Sequence, residues 1–380
     1  IDNVSVQEVI GDLPVPYSGK GHLLLEGQRS NIIPYSEDIS QFDQLQTAVI
    51  SSQVISPDGS QNADLLRETT VNNYHSCREV LTVTSGVQYT FSFFAKKKDY
   101  DYVQYSRTAD GGSYANFNIA NGTLGNNSGA DILNHQIENY GNGWYRCIVS
   151  FNTATTSSGF GITLIQNNVS SRYETYLGDG SSGTYIWGAM VEQGSYPTSY
   201  IPTNGTAVTR LGETCNNATQ SYPTEGVLYA EIAALANDGT NRMISISDAS
   251  DQNHIRMYYT NTSNRMTFAI KVAGTNQVVF NYDGLDSVLD FNKVALRYQQ
   301  DNTTLWVDGV QVDIDTSCNM PSSGALETLQ FNAIGASNFY GKTKMVSTFP
   351  YLSNDEMECL TGEGYGTFEA LAAAYSYTIK

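Results

Sequence analysis

Short stretches in which apolar and polar residues alternate, separated by Gly, Asn, Asp and Pro, run through most of the chain. Alternation at period two marks half-buried β-strands, because successive side chains leave the backbone on opposite faces. Up to residue 210 the pattern predicts strands over 46–55, 64–68, 77–83, 87–96, 102–107, 115–118, 135–140, 144–152, 159–166 and 185–192. PDGS at 57–60, DGG at 110–112, NG at 121–122 and GNG at 141–143 supply the turns between them. Strands this short and this regularly spaced predict a two-sheet jelly roll. In YTFSFFA, Tyr89, Phe91, Phe93 and Ala95 share one strand face and are expected in the core, as are Trp144 and Trp187.

The stretch YIWGAMVEQGSYPTSYIPTNGTAVTR (185–210) begins as a strand and breaks at Gly194, Pro197 and Pro202, so it closes this module. Tyr196, Pro197, Tyr200 and Pro202 are expected to pack between modules. Alternation restarts at GVLYAEIAAL, whose two faces are both apolar, as in a strand central to a sheet. Further strands are predicted over 242–248, 254–260, 265–274, 277–284, 291–300, 302–315, 328–337 and 343–352, with Asp308-Gly309 as a tight hairpin turn. A Ser353 cap followed by Asp355 and Glu356 starts a short helix that Gly362 ends. The predicted organisation is therefore all-β: two tandem antiparallel β-sandwiches with a short C-terminal helix. Residues 1–20 form the closing strand of a preceding module and a linker, 21–210 a jelly roll, 211–223 a linker, 224–362 a second sandwich and 363–380 a tail.

Four segments in order, LLLEGQRSNIIPYSEDIS (23–40), YTFSFFAKKKDYDYVQYS (89–106), GNGWYRCIVSF (141–151) and the closing 185–210 stretch, resemble the carbohydrate-binding-module-like sandwich of phage tail-fibre, head-fibre and spike proteins. The first strand GVLYAEI, then KVALRYQQDNTTLWVDGVQV (293–312) and FYGKTKMVSTFPYLSNDEMECLTG (339–362), resemble the concanavalin A-like sandwich of laminin-G and pentraxin type. The resemblance implies a virion protein that displays glycan-binding domains for host-surface attachment, with a host cell-surface glycan and other virion proteins as partners. It also implies a homo-oligomer, a trimer being the favoured state. A secreted or surface bacterial adhesin, or a polysaccharide-binding accessory protein, is the alternative.

Composition narrows the chemistry. Lys and Arg number 20 against 38 Asp and Glu, 11 against 20 before Tyr222 and 9 against 18 after it. An acidic chain whose densest basic run is Lys96–Lys98 lacks the footprint of a nucleic-acid binder. No apolar run reaches the roughly 20 residues of a membrane-crossing helix. The five cysteines are scattered, without a CxxC pair, so neither a zinc site nor a disulfide framework is legible. Glycoside hydrolysis needs paired carboxylates flanking one bond. The Glu-x-Asp-x-x-Glu arrangement of hydrolases on the concanavalin A-like scaffold is absent, and no catalytic residue is assigned.

Sugar recognition calls for aromatic rings beside polar hydrogen-bonding groups. Tyr100, Tyr102, Tyr105, Arg107 and Tyr114 are the candidates. Calcium is the one cofactor that the loop oxygens invite, with Asp248, Asp251 and Asn253 as candidate ligands.

Overall fold

The structure is a computed structural model, described here over residues 21–362 apart from 109–111, 216, 217, 220, 249 and 334–336. The predicted segments 1–20 and 363–380 lie outside the described residues. The described residues divide into two compact units, Gln28–Leu211 and a second made of the described residues on either side of it. Among the described residues the regular secondary structure is nearly all β, with one α-helix, Asn354–Thr361.

The first unit is a sandwich of two six-stranded antiparallel sheets. One sheet runs, edge to edge, Thr123–Ser128, Tyr114–Asn118, Tyr102–Arg107, Ser157–Ile165, His75–Thr82 and Asp43–Leu45. The other runs Ile132–Gly141, Trp144–Asn152, Gln88–Lys97, Gly183–Gln193, Ala63–Glu68 and Thr47–Val54. Between them lies a core that includes Tyr89, Phe91, Phe93 and Ala95 from one sheet, as period two predicts, and Val103, Tyr105, Phe117, Phe160 and Ile162 from the other.

Trp144 and Trp187 are buried, but on the far side of their sheet, where they form a second cluster with Ala63 and Phe94. The chain after Gln193 folds back over this face. The Tyr200 ring sits 4.4 Å from that of Trp187, Tyr196 is buried beneath Arg29 at 5.2 Å, and Thr198 donates from its backbone N and its Oγ1 to the buried carboxylate of Glu192. Tyr196 and Tyr200 thus pack on their own sandwich. The half-buried Pro197 and exposed Pro202 turn the chain across the sheet. Gly188, at φ +62 in a bulge of the closing strand, permits this approach: a Cβ there would fall 2.9 Å from the Phe94 ring.

The second unit is also a sandwich of two six-stranded sheets. One runs Leu23–Leu25, Gly341–Phe349, Gly226–Ala234, Asn292–Tyr298, Thr303–Val307 and Val310–Asp315. The other runs Ala218–Thr219, Thr328–Gln330, Arg242–Ser247, His254–Tyr259, Met266–Val272 and Thr275–Tyr282. Strand Gly226–Ala234 is interior, as its two apolar faces predict. Leu228, Ala230 and Ile232 enter the core between the sheets, whereas Val227 and Tyr229 lie with Met357 and Leu360 of the helix on the opposite face. A capping box at Ser353 and Glu356 starts that helix. Asp308 and Gly309 both take positive φ, +46° and +86°, the backbone a tight primed hairpin turn demands.

Leu23–Leu25, expected to open the first sandwich, instead pairs antiparallel with Gly341–Phe349 and forms an edge of the second. A run of leucines specifies a strand but not its partner, and here the partner is more than three hundred residues away.

Candidate functional site

Alternation along Tyr102–Arg107 sorts the sequence-predicted sugar contacts onto opposite faces. Val103, Tyr105 and Arg107 point inward. Tyr105 and Arg107 are fully buried, so neither can stack on or bond a ligand at the surface, which corrects the expectation for both. Arg107 has a structural role. Its Nη1 pairs with Asp131 Oδ2 at 2.7 Å, its Nε donates to Ser158 Oγ, its Nη2 donates to Thr153 Oγ1, and its guanidinium lies 4.5 Å from the Phe151 ring. The Tyr100 hydroxyl donates to Glu68 at the edge of the core, and burial with that carboxylate pushes its pKa well above the usual tyrosine range.

Tyr102, Gln104 and Ser106 point outward. Pairing sets Asn118, Asn116 and Tyr114 beside them on one side, and Ile165, Thr163 and Gly161 on the other. One strand further, Ser76 stands beside Thr163 and Arg78 beside Gly161. Hydroxyls cross the sheet as a ladder. Ser106 Oγ lies 2.9 Å from Thr163 Oγ1, which donates to Ser76 Oγ at 2.9 Å. Each hydroxyl satisfies its neighbour, which lets a polar row sit buried against the sheet.

The loop after Ile165 is tied onto this face. Gln104 Nε2 donates to the Ser171 carbonyl and Gln104 Oε1 accepts from Tyr173 N, both at 3.1 Å. Asn116 Nδ2 donates to the Ser170 carbonyl at 2.7 Å. The loop thereby sets Arg172 and Tyr173 beside the sheet. Arg172 lies 4.2 Å from the Tyr173 ring centroid, and the same ring stacks on Tyr74 at 4.5 Å and 22°. Arg172 also lies over Gly112, where φ is +81° and a Cβ would collide with Nη1. Its Nε is buried and makes no hydrogen bond among the described residues.

Toward the other end of the face, Gly159 leaves room for Arg78 and Thr108 to lie flat. A Cβ there would fall 2.7 Å from Thr108 Oγ1 and 3.5 Å from Arg78 Cδ. The strands bearing Arg78 and Tyr114 are three steps apart across the sheet, about 14 Å. Between them the face presents two guanidinium groups, the Thr108 hydroxyl and the rings of Tyr114, Tyr173 and Tyr74; Asp43 pairs with Arg78 at 3.4 Å, and the Glu174 carboxylate accepts from Gln166 N and Ser170 Oγ within the loop. Such a face offers hydrogen-bond donors and flat aromatic surface together, the combination a sugar ring needs.

Of the residues the sequence pointed to, Tyr102 and Tyr114 belong to this face. Arg78, Thr108, Arg172, Tyr173 and Tyr74 carried no local signal, because they come from three separate segments and meet only through strand pairing and the Gln104 tether.

In the second sandwich the three candidate calcium ligands do not converge. Asp248 accepts from Ser250 N and Oγ and from Asn253 Nδ2, while Asn253 Oδ1 accepts from Ala273 N. Asp251 turns instead to Lys271 and Arg256, at 2.6 and 3.4 Å. Among the described residues no group of three or more His, Cys, Asp or Glu side chains is placed to hold a metal ion, and no helix is long and apolar enough to cross a membrane.

No protein-family model matches the chain, and no curated protein matches it. Among solved structures it is similar to the Ruminococcus gnavus IT-sialidase CBM40, at 14% identity over 40% of this chain and 97% of that one, with a TM-score of 0.32. It is also similar to domains LG4-5 of the mouse laminin α1 chain, at 10% identity over 74% of this chain and 86% of that one, TM-score 0.28. For sheep galectin-11 the values are 8% identity, 37% and 100% coverage, and a TM-score of 0.27. At such scores the superpositions assign neither fold nor ligand; the fold rests on the strands and pairings above.

Proposed function

We propose that the chain is a non-enzymatic saccharide-binding protein whose first sandwich engages its ligand on the outer face of the sheet centred on Tyr102–Arg107 and Ser157–Ile165. The observation that carries this reading is the Arg172–Tyr173–Tyr74 stack, held over a sheet face otherwise lined by amides and hydroxyls. Tyr114, Tyr173 and Tyr74 supply ring faces; Arg78, Arg172 and Thr108 supply donors. The order of sequence motifs supports a setting on a phage fibre or spike, where a homo-oligomer, a trimer being favoured, would present several such faces to a host-surface glycan and gain avidity from their number.

A glycan array probed with the full chain tests the binding. Hits that vanish in Arg172→Ala and Tyr173→Ala are expected, and hits unaffected by both variants move the site elsewhere. Mass spectrometry of purified virions tests the setting, and absence of the chain from the particle removes it.

A further inference from the structure

The sheet of the second sandwich that carries His254–Tyr259 and Met266–Val272 also has an outer face, and it holds two cations in an acidic chain. Ile255, Met257 and Tyr259 enter the core. His254, Arg256 and Tyr258 therefore point outward, beside Lys271, Ala269 and Thr267 on one flank and Ser247, Ser245 and Met243 on the other. This face sets Arg256 and Lys271 around the carboxylate of Asp251, with the neutral His254 ring beside it and Asp248 within electrostatic reach of that ring.

Asp251 reaches them from the turn preceding the strand. Its Oδ2 accepts from Lys271 Nζ at 2.6 Å, and its Oδ1 lies 3.4 Å from Arg256 Nη2 and 3.5 Å from His254 Nδ1. The two cations are mostly covered, each with a side chain 16% exposed, whereas that of Asp251 is 58% exposed. The cations are fixed in the sheet, and their counter-ion is a solvated turn residue. His254 Nε2 and Arg256 Nε are buried and make no hydrogen bond among the described residues. Around them the face is polar and small: Gln330 Nε2 donates to Ser247 Oγ, Thr267 Oγ1 donates to Asn281 Oδ1, and Ala269 separates Arg256 from the exposed edge strand.

Exchanging Asp251 for another carboxylate leaves both covered cations paired, and the partner released is the solvated one, so the exchange costs little. The two oxygens of Asp251, divided between an ammonium and a guanidinium, already trace the geometry by which a ligand carboxylate would be held. We infer that this face is a second binding site, for the carboxylate of a uronic-acid-containing saccharide, which Lys271 and Arg256 take up as Asp251 swings out. Tyr258, half-buried beside Arg256 on the same face, offers the sugar ring an aromatic flank. The site is independent of the face assigned in the first sandwich.

Calorimetric titration of the full chain carrying Arg172→Ala, which silences the first face, tests the inference with oligogalacturonate and with its fully methyl-esterified, uncharged counterpart. The acid is expected to bind and the ester to fail. Removing the competing counter-ion with Asp251→Asn is expected to tighten binding about five-fold, the equivalent of an exposed ion pair of about 1 kcal/mol. Lys271→Met is expected to abolish measurable binding. Because misfolding does not produce tighter binding, the Asp251→Asn result is decisive. Equal binding of acid and ester, no binding of either, or an unchanged affinity in Asp251→Asn overturns the inference. A loss of neutral-glycan hits in Arg172→Ala alone concerns only the first face.

Discussion

Each sandwich has one outer sheet face that is sealed and one that is left polar, and the two achieve the seal by different means. In the first, an irregular return of the chain lays Tyr200 and its neighbours over Phe94, Trp144 and Trp187. In the second, a capped helix lays Met357 and Leu360 over Val227, Tyr229, Ala295 and Trp306. Both coverings begin directly after the last long strand of their sandwich, Gly183–Gln193 and Gly341–Phe349 respectively. A sheet that is apolar on both faces must be covered on both, so the tryptophans mark which outer face of each sandwich carries an apolar covering.

The comparison breaks most visibly if the seals are removed. Trp187→Ala and Trp306→Ala should each cost about 3–5 kcal/mol, the usual range for truncating a buried tryptophan. Each should lower only the unfolding transition of its own sandwich in a urea titration followed by circular dichroism. A single merged shift in both variants would show that the two cores do not unfold separately.

Protonation should sharpen the contrast. Asp64 in the first sandwich has its pKa raised to about 6, chiefly by burial, against which the Ser52 and Ile39 amides it accepts from work only in part. An acid with a raised folded-state pKa contributes stability that is complete below its unfolded value near 4 and is lost as pH rises through about 6. His254 in the second sandwich has its pKa lowered to about 4, first by burial and then by Arg256. A base held neutral in this way contributes stability that is complete above about 6.5 and is lost as pH falls toward 4. Between pH 4 and 6 the two transitions should therefore move in opposite directions, by up to about 2 kcal/mol each. Asp64→Asn and His254→Gln should flatten the respective slopes, and parallel slopes in the unsubstituted protein would contradict the assignment.

A smaller effect concerns how the second seal is started. Ser353 caps the helix, accepting from Glu356 N while the Glu356 carboxylate accepts from Ser353 N. Ser353→Ala should cost about 1 kcal/mol, confined to the second transition. The smallest stability change is expected on the open face: Arg172→Ala and Tyr173→Ala should shift the first transition by no more than about 0.5 kcal/mol, as surface substitutions do, while removing saccharide binding on the array. A large destabilisation in either variant would mark the Arg172–Tyr173–Tyr74 stack as structural.

Much of this architecture is legible along the chain because its causes are local. Period-two alternation located Tyr89, Phe91 and Phe93 in the core, the double apolar character of GVLYAEIAAL marked an interior strand, and Asp308-Gly309 and the Ser353 capping box read correctly because turn and cap chemistry involve neighbours in sequence. The candidate face was only half legible. Tyr102 and Tyr114 lie on that face while Tyr105 and Arg107 enter the core, because a cluster read along one strand mixes the two faces that alternation separates. Prolines mark where a strand ends, not where the following chain goes, so the packing of Tyr196 and Tyr200 on their own sandwich is not legible from Pro197 and Pro202.

The sequence by itself determined most of the longer strands, several of their turns, the helix cap and the division into two acidic β-sandwiches, since each depends on residues a few positions apart; short edge strands such as Asp43–Leu45, Thr123–Ser128 and Ala218–Thr219 it did not show. Tertiary structure alone decided which strands pair, as for Leu23–Leu25 with Gly341–Phe349. It also decided which aromatics seal a face, and that Asp251 meets Lys271 and Arg256. Those outcomes rest on contacts between segments far apart in the chain, where register and packing, not the properties of any one stretch, set which side chains meet.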